Sequence, residues 1–144
     1  MTTNLFEDAD IISSYSRRQA IEDGVLVDLM QAPIREGMRP ELDDWGAMVR
    51  EAGFVVPLAM TAAAFAKTIG EPDKLPAGQD LKGRLWDVLW MLKLGIKGPG
   101  RDRVDFKVSV LQDKGRREVV ELYALIHPGD AGEPVITIML QGED

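Results

Sequence analysis

At Gly98-Pro99-Gly100 the hydrophobic pattern of this chain changes period, and that switch constrains the fold more than any other feature. Before it, Leu81, Leu85, Val88, Leu89, Leu92 and Ile96 recur at the spacing that lines one helix face. Asp80 can cap this helix at its start, which predicts a helix over 81–97 with Trp86, Trp90 and Lys93 beside the stripe. After the switch, Val104, Phe106, Val108 and Val110 alternate with Asp105, Lys107 and Ser109, the pattern of a half-buried strand. Gln112-Asp113-Lys114-Gly115 turns the chain into a second strand over 118–126, and 134–140 is a third. The third is apolar at consecutive positions, so it is expected in the middle of a sheet or covered on both faces. The class is therefore α+β, with a mostly antiparallel sheet and a C-terminal three-stranded meander.

The front of the chain adds shorter elements. Residues 1–10 are polar and acidic and are expected to be loosely held. Ile11 and Ile12 lead into Ser13-Ser14-Tyr15 as a short extended piece. Ser16 followed three residues later by Gln19 is a capping-box pattern, opening a short helix that stops at Gly24. Val25-Leu26-Val27 then reads as a buried strand ending at Asp28 or Leu29, which adds to the sheet. Residues 30–44 hold Pro33, Gly37 and Pro40, show no sustained period, and are expected to be a loop. Asp43 or Asp44 can cap a helix with Trp45, Met48, Val49 and Ala52 on one face and Gly53 as its stop. Pro57 suits the first turn of a further helix over 57–69, with Ala59, Ala62, Ala63 and Ala66 as a small-residue face. The two main helices, 57–69 and 81–97, are expected on one face of the sheet, because a sheet must bury its apolar side.

The chain of 144 residues fits one domain over 1–144. It holds one histidine and no cysteine, which removes much of the usual catalytic equipment. A Cys nucleophile and a Cys/His zinc site are excluded, and a Ser-His pair could use only His127. No cofactor and no metal site are expected. Asp8, Asp10, Glu22, Asp23 and Asp28 lack calcium-loop spacing and read as a solvated acidic rim. The net charge of −7 argues against direct nucleic-acid binding. The apolar run 54–66 is too short to span a bilayer, and the first residues lack a signal-peptide pattern. A cytoplasmic protein is the expectation, and its oligomeric state is open.

Few residues remain as candidates for a site. Tyr15, Arg17 and Arg18 flank a helix N-terminus that could receive an anion. The ordinary reading sets the arginines in solvent and packs Tyr15 at a sheet edge. His127 and Asp130 lie where the second strand of the meander ends, and a satisfied loop histidine is the ordinary reading there. These five residues are the predicted binding surface, and no catalytic set is assigned. Exposed substitutions among them are expected to leave stability nearly unchanged. Trp86 and Trp90, with Arg84, Lys93 and Lys97 on the same helix, could form a stacking platform but read more simply as core.

Four stretches carry a resemblance: Tyr15 to Asp28, Arg50-Glu51-Ala52-Gly53-Phe54, Gly83 to Trp90, and Gly129 to Leu140. In this order they resemble an uncharacterised domain-of-unknown-function family of small bacterial proteins carried on plasmids, phages and integrative elements. Against that pattern, residues 30–44 look like an insertion. The resemblance implies an accessory gene of mobile DNA and carries no activity. The expected function is a non-catalytic accessory protein that binds a protein partner, in host-defence antagonism or in plasmid or phage maintenance. The alternative is a small nucleotide-binding enzyme of ADP-ribosyltransferase-like form, which the strand, short helix and glycine turn at 11–29 weakly resemble. It would hold a dinucleotide with Tyr15 and Arg17 and use Glu121 or Glu133 as its acid.

Overall fold

The computed structural model describes residues 16–31, 45–70, 75–76, 78–96, 102–112 and 115–143. Tyr15, the extended piece at 11–15, residues 1–10, the caps at Asp43 and Asp44, and nearly all of the 30–44 insertion lie outside them. In chain order the elements are α1 (Arg17–Glu22), β1 (Leu26–Asp28), α2 (Trp45–Glu51), β2 (Leu58–Thr61), α3 (Ala62–Thr68), α4 (Leu81–Gly95), β3 (Arg103–Leu111), β4 (Arg117–Pro128) and β5 (Pro134–Leu140).

The five strands form one mixed sheet in the order β1-β2-β5-β4-β3. The meander is present: β3 pairs antiparallel with β4, and β4 antiparallel with β5. β1 pairs antiparallel with β2, while β2 runs parallel to β5. The expectation of a mostly antiparallel sheet therefore holds at every junction but one. β5 lies between β2 and β4, and five consecutive residues from Val135 to Met139 are buried, as its unbroken apolar run requires.

The helix expected over 57–69 is corrected. Leu58, Ala59 and Met60 are fully buried strand residues of β2, and the helix begins only at Ala62. Thr61 starts it: its Oγ1 accepts the Ala64 amide at 3.2 Å, so the residue ends a strand and caps a helix. Ala62, Ala63 and Ala66 are exposed while Ala59 is buried in β2, so the expected small-residue face does not form on one helix.

Sheet alternation divides the side chains. Val104, Phe106, Val108 and Val110 of β3, Val120, Leu122 and Ala124 of β4, Ile136 and Ile138 of β5, and Leu58 and Met60 of β2 share one face. Three helices close over it rather than two. α2 brings Trp45 and Val49, α3 brings Ala64 and Phe65, and α4 brings Leu81, Leu85, Val88, Leu89 and Leu92. Trp45 and Phe65 stack at a centroid distance of 6.0 Å. The opposite face holds a smaller buried set, Ala59, Tyr123, Val135, Thr137 and Met139.

α4 matches its expected range closely. The Asp80 carboxylate accepts the Gly83 amide at 2.6 Å, and the helix ends at Gly95. No helix among the described residues is long and apolar enough to cross a membrane.

Candidate functional site

The expected anion position at the start of α1 is filled from within the chain. Ser16 caps the helix, and its Oγ accepts the Gln19 amide at 3.0 Å. The other two free amides of that turn, from Arg17 and Arg18, donate at 2.8 and 3.0 Å to the two carboxylate oxygens of Asp130. A distant carboxylate thus completes the cap, and the three orphan donors of a short helix are satisfied. These two bonds, Arg18 first, hold the Asp130 carboxyl below its ordinary range. The structure therefore brings Arg17, Arg18 and Asp130 together, as residues of one clasp. Asp130 has a structural task, and the two bonds argue against the expectation that its removal leaves stability unchanged.

The side chains of the two arginines diverge. Arg18 is exposed and lies 3.8 Å from Glu22, one helical turn on. Nε and Nη2 of Arg17 are buried and have no hydrogen-bond partner among the described residues.

His127 takes the satisfied reading. Its Nδ1 lies 3.0 Å from the Pro128 carbonyl and its Nε2 lies 2.7 Å from the Thr137 hydroxyl. The carbonyl only accepts, so Nδ1 donates to it, and in the neutral ring Nε2 accepts from Thr137. Neither nitrogen is left for a nucleophile. The loop beyond is closed by its own atoms: Gly132 has φ +83°, and the Ala131 amide donates to the Glu133 carboxylate at 2.9 Å. Glu133 is thereby engaged, while Glu121 stands exposed across from Lys107 on the outer face of the sheet. Among the described residues, no three His, Asp or Glu side chains come together as they would around a metal ion.

Arg84, the basic residue that the stacking-platform reading sets on the tryptophan helix, is interior. Arg84 is only 6% exposed. Its Nη1 donates to the Thr68 carbonyl at 3.3 Å, its Nη2 to the Leu111 carbonyl, and its Nε to Gln79 Oε1 at 3.4 Å. One guanidinium thus joins the end of α3, the start of α4 and the end of β3. Beside it lies a cavity of about 40 Å³, lined in part by Asp87 and Arg117. Desolvation pushes the Asp87 carboxyl above its ordinary range, against the pull of Arg117 and Arg84.

The outward side of α4 sets exposed apolar side chains among the charged Asp87 and Lys93. Trp86 and Trp90 stack at 6.2 Å with their planes 20° apart. Trp90 is 46% exposed, and Leu94, one turn on, is 54% exposed. The Lys93 ammonium stands 5.8 Å from the Trp90 ring. The expected core packing holds for Trp86, which is half-buried against the core, and not for Trp90, which turns outward. The signal available was position: Trp90 and Leu94 fall on the side of the helix away from Leu85, Val88 and Leu92.

On the outer face of β3 and β4, Arg103 lies 4.0 Å from the centroid of the Tyr123 ring. Its guanidinium bonds Asp105 Oδ1 at 3.1 Å and Gln141 Oε1 at 3.1 Å. Gln141 Nε2 closes the set on Asp105 Oδ1 at 2.7 Å. The Gln141 and Arg103 hydrogen bonds hold the Asp105 carboxyl low. An open trough of about 620 Å³ runs over these residues and Lys107.

The model of a family of unknown function (DUF6573) matches residues 1–144, and the chain belongs to that family. No curated protein and no solved structure matches the chain.

Proposed function

We propose that the chain is a non-catalytic accessory protein of mobile DNA that acts by holding a protein partner, in host-defence antagonism or in plasmid or phage maintenance. The observation that carries the partner is the exposed pair Trp90 and Leu94 on α4, with half-buried Trp86 stacked behind Trp90. Contiguous exposed apolar side chains mark interaction surfaces, and tryptophan is enriched where binding energy concentrates. Lys93 beside Trp90 favours a partner surface that sets an acidic group next to an apolar one. The setting in mobile DNA rests on the sequence resemblance alone.

The nucleotide-binding reading has less support. The helix amides that would seat a phosphate hold Asp130, and Glu133 closes its own loop. NAD is the probe for it. Saturable binding raises stability by about 2.7 kcal/mol at a hundred times the dissociation constant, a shift that a thermal titration reads directly.

The test of the leading reading uses the full chain as bait in a lysate of the bacterial host, beside the double variant Trp90→Glu, Leu94→Glu. A protein captured by the parent and by Arg18→Glu, but lost from the double variant, supports the surface. A bait that captures nothing, or captures equally well with both α4 positions reversed to acid, overturns it.

A further inference from the structure

β3 is an outer strand of the sheet, and its outer edge has a definite polarity. In the ladder with β4, the Ile126 amide donates to the Asp102 carbonyl at 2.8 Å and the Gln112 amide to the Arg116 carbonyl at 2.6 Å. Backbone groups alternate in direction along an antiparallel strand. The even-numbered residues of β3 therefore bond to β4, and those of Arg103, Asp105, Lys107, Ser109 and Leu111 point away from the sheet. Arg84 takes the outward carbonyl of Leu111. The outward amides and carbonyls of Arg103, Asp105, Lys107 and Ser109 have no partner among the described residues. They form a row about 20 Å long at strand spacing. What such a row recognises is another extended backbone.

Both sides of this edge are shaped. Arg84, Met91 and Gly95 lie on one row of α4, and both ends of the row touch β3. A Cβ on Gly95 would stand 3.2 Å from Val104 Cγ1 and 3.3 Å from Phe106 Cβ, so the helix lies directly on the strand. Leu94 is the next residue outward. On the other face, the trough over Arg103, Asp105, Lys107, Glu121 and Gln141 borders the same edge. Arg103 and Asp105 satisfy each other there, whereas Lys107 has no carboxylate within ion-pair distance among the described residues.

The closeness of α4 decides between occupants. Two copies joined edge to edge through β3 would hold their strands about 4.8 Å apart. Their α4 helices, each seated on its own β3, would then meet well inside the 8–10 Å that packed helices need. A lone strand has no such conflict.

We propose that the outer edge of β3 receives an extended segment of the partner protein as a sixth strand, with aliphatic side chains against Met91 and Leu94 and an acidic one beside Lys107. This rests on the partner-binding reading above and names how the partner docks. The alternating Arg103, Asp105 and Lys107 on this edge suit it, because charges on an edge strand discourage indiscriminate pairing and leave room for a matched sequence.

The experiment pans a phage-displayed library of random dodecapeptides on the full chain and titrates an enriched synthetic peptide into isotope-labelled protein. The expected result is at least tenfold slower exchange at the amides of Asp105, Lys107 and Ser109, with those of Val104, Phe106 and Val108 unchanged. Lys107→Pro and Ser109→Pro each remove an outward amide and no bond within the sheet, so both are expected to fold and to weaken the peptide at least tenfold. Ser109→Pro removes no charge and isolates the backbone effect. Where a proline variant fails to fold, the exchange pattern still decides. Failure to enrich any peptide, enriched peptides that leave the three amides unprotected, or a stable dimer through β3 in sedimentation overturns the edge site. Those outcomes leave the lysate capture and its dependence on Trp90 standing, so the two readings fail separately.

Discussion

The carboxylate of Asp130 receives the backbone amide of Arg17 at 2.8 Å across 113 residues of sequence. The bond, with its companion to Arg18, ties the turn between β4 and β5 to the first turn of α1. α1 leads into β1, the three-residue strand at the far edge of the sheet, so the clasp also secures that edge. Asp130→Ala removes both acceptors and leaves two amides of α1 without protein partners, and a clear fall in Tm is expected by scanning calorimetry. Asp130→Asn keeps one carbonyl oxygen and should recover part of the loss. Arg18→Ala leaves its amide in place and should melt like the parent. An Asp130→Ala protein that melted at the parent's temperature would remove the clasp from the account of the fold.

The same bond predicts how stability responds to acid. The Arg18 and Arg17 amides hold the folded carboxyl of Asp130 below its ordinary value, so folding favours the ionised form. The stabilisation is fully present above the unfolded value, about 3.9, and is lost as pH falls through the lower folded value. The stability difference between the parent and Asp130→Asn should therefore be constant near neutrality and close progressively below about pH 4. Urea titrations of the pair at a series of pH values measure it. A difference that widened with acid would have the wrong sign for a depressed carboxyl.

Arg84 supports a third expectation. Its guanidinium serves acceptors on α3 and β3 from a position 6% exposed. Arg84→Ala strands those carbonyls at about 1–3 kcal/mol for each buried group left unsatisfied. Arg84→Lys carries the charge on a single nitrogen and cannot span the two carbonyls as the planar fork does, so it should rescue little. Arg84→Met, which keeps volume but no donor, should resemble Arg84→Lys more than the parent. Chemical denaturation of the three variants checks the order.

How much of this was legible beforehand depended on the range over which each signal acts. The capping residues Ser16 and Asp80 lie within three residues of the amides they serve, and both were readable. β3 carries its alternation and β5 its unbroken apolar run in their own side chains, and all three strands of the meander are legible in the sequence. β2 is not. Leu58-Ala59-Met60 is a short unbroken apolar run, and such a run looks alike in a buried strand and a buried helix turn. What makes it a strand is β5, more than 70 residues later, where Leu58 pairs with Ile136 and Met60 with Ile138. The local hint was Thr61, a helix cap standing where the helix was expected to be under way. Asp130 stands out as a polar residue where an apolar pattern breaks, but that signal does not reveal the clasp, because its partner amides are backbone groups that no side-chain pattern shows. Position 84 borders the apolar stripe of α4 and nothing local marks its arginine as interior; the carbonyls of Thr68 and Leu111 draw it inward.

The seat of α4 on β3 gives the last expectation, and it rests on Gly95. Glycine is a poor helix former, so Gly95→Ala should gain up to about 1 kcal/mol from propensity alone. Opposing that gain, the new methyl would stand 3.2 Å from Val104 Cγ1 and 3.3 Å from Phe106 Cβ, and those neighbours must give by a few tenths of an ångström. The two effects are of similar size, so Gly95→Ala should lie within about 1 kcal/mol of the parent. A leucine gains nearly as much propensity but must displace far more. Gly95→Leu must lift the end of α4 from β3, at a cost of about 1–3 kcal/mol for overpacking. It should also speed amide exchange in Val104 and Phe106, whose side chains the helix covers. Equal stability for Ala and Leu at this position would mean that α4 does not press on β3. The steric argument against a second copy at that edge would then fall with it.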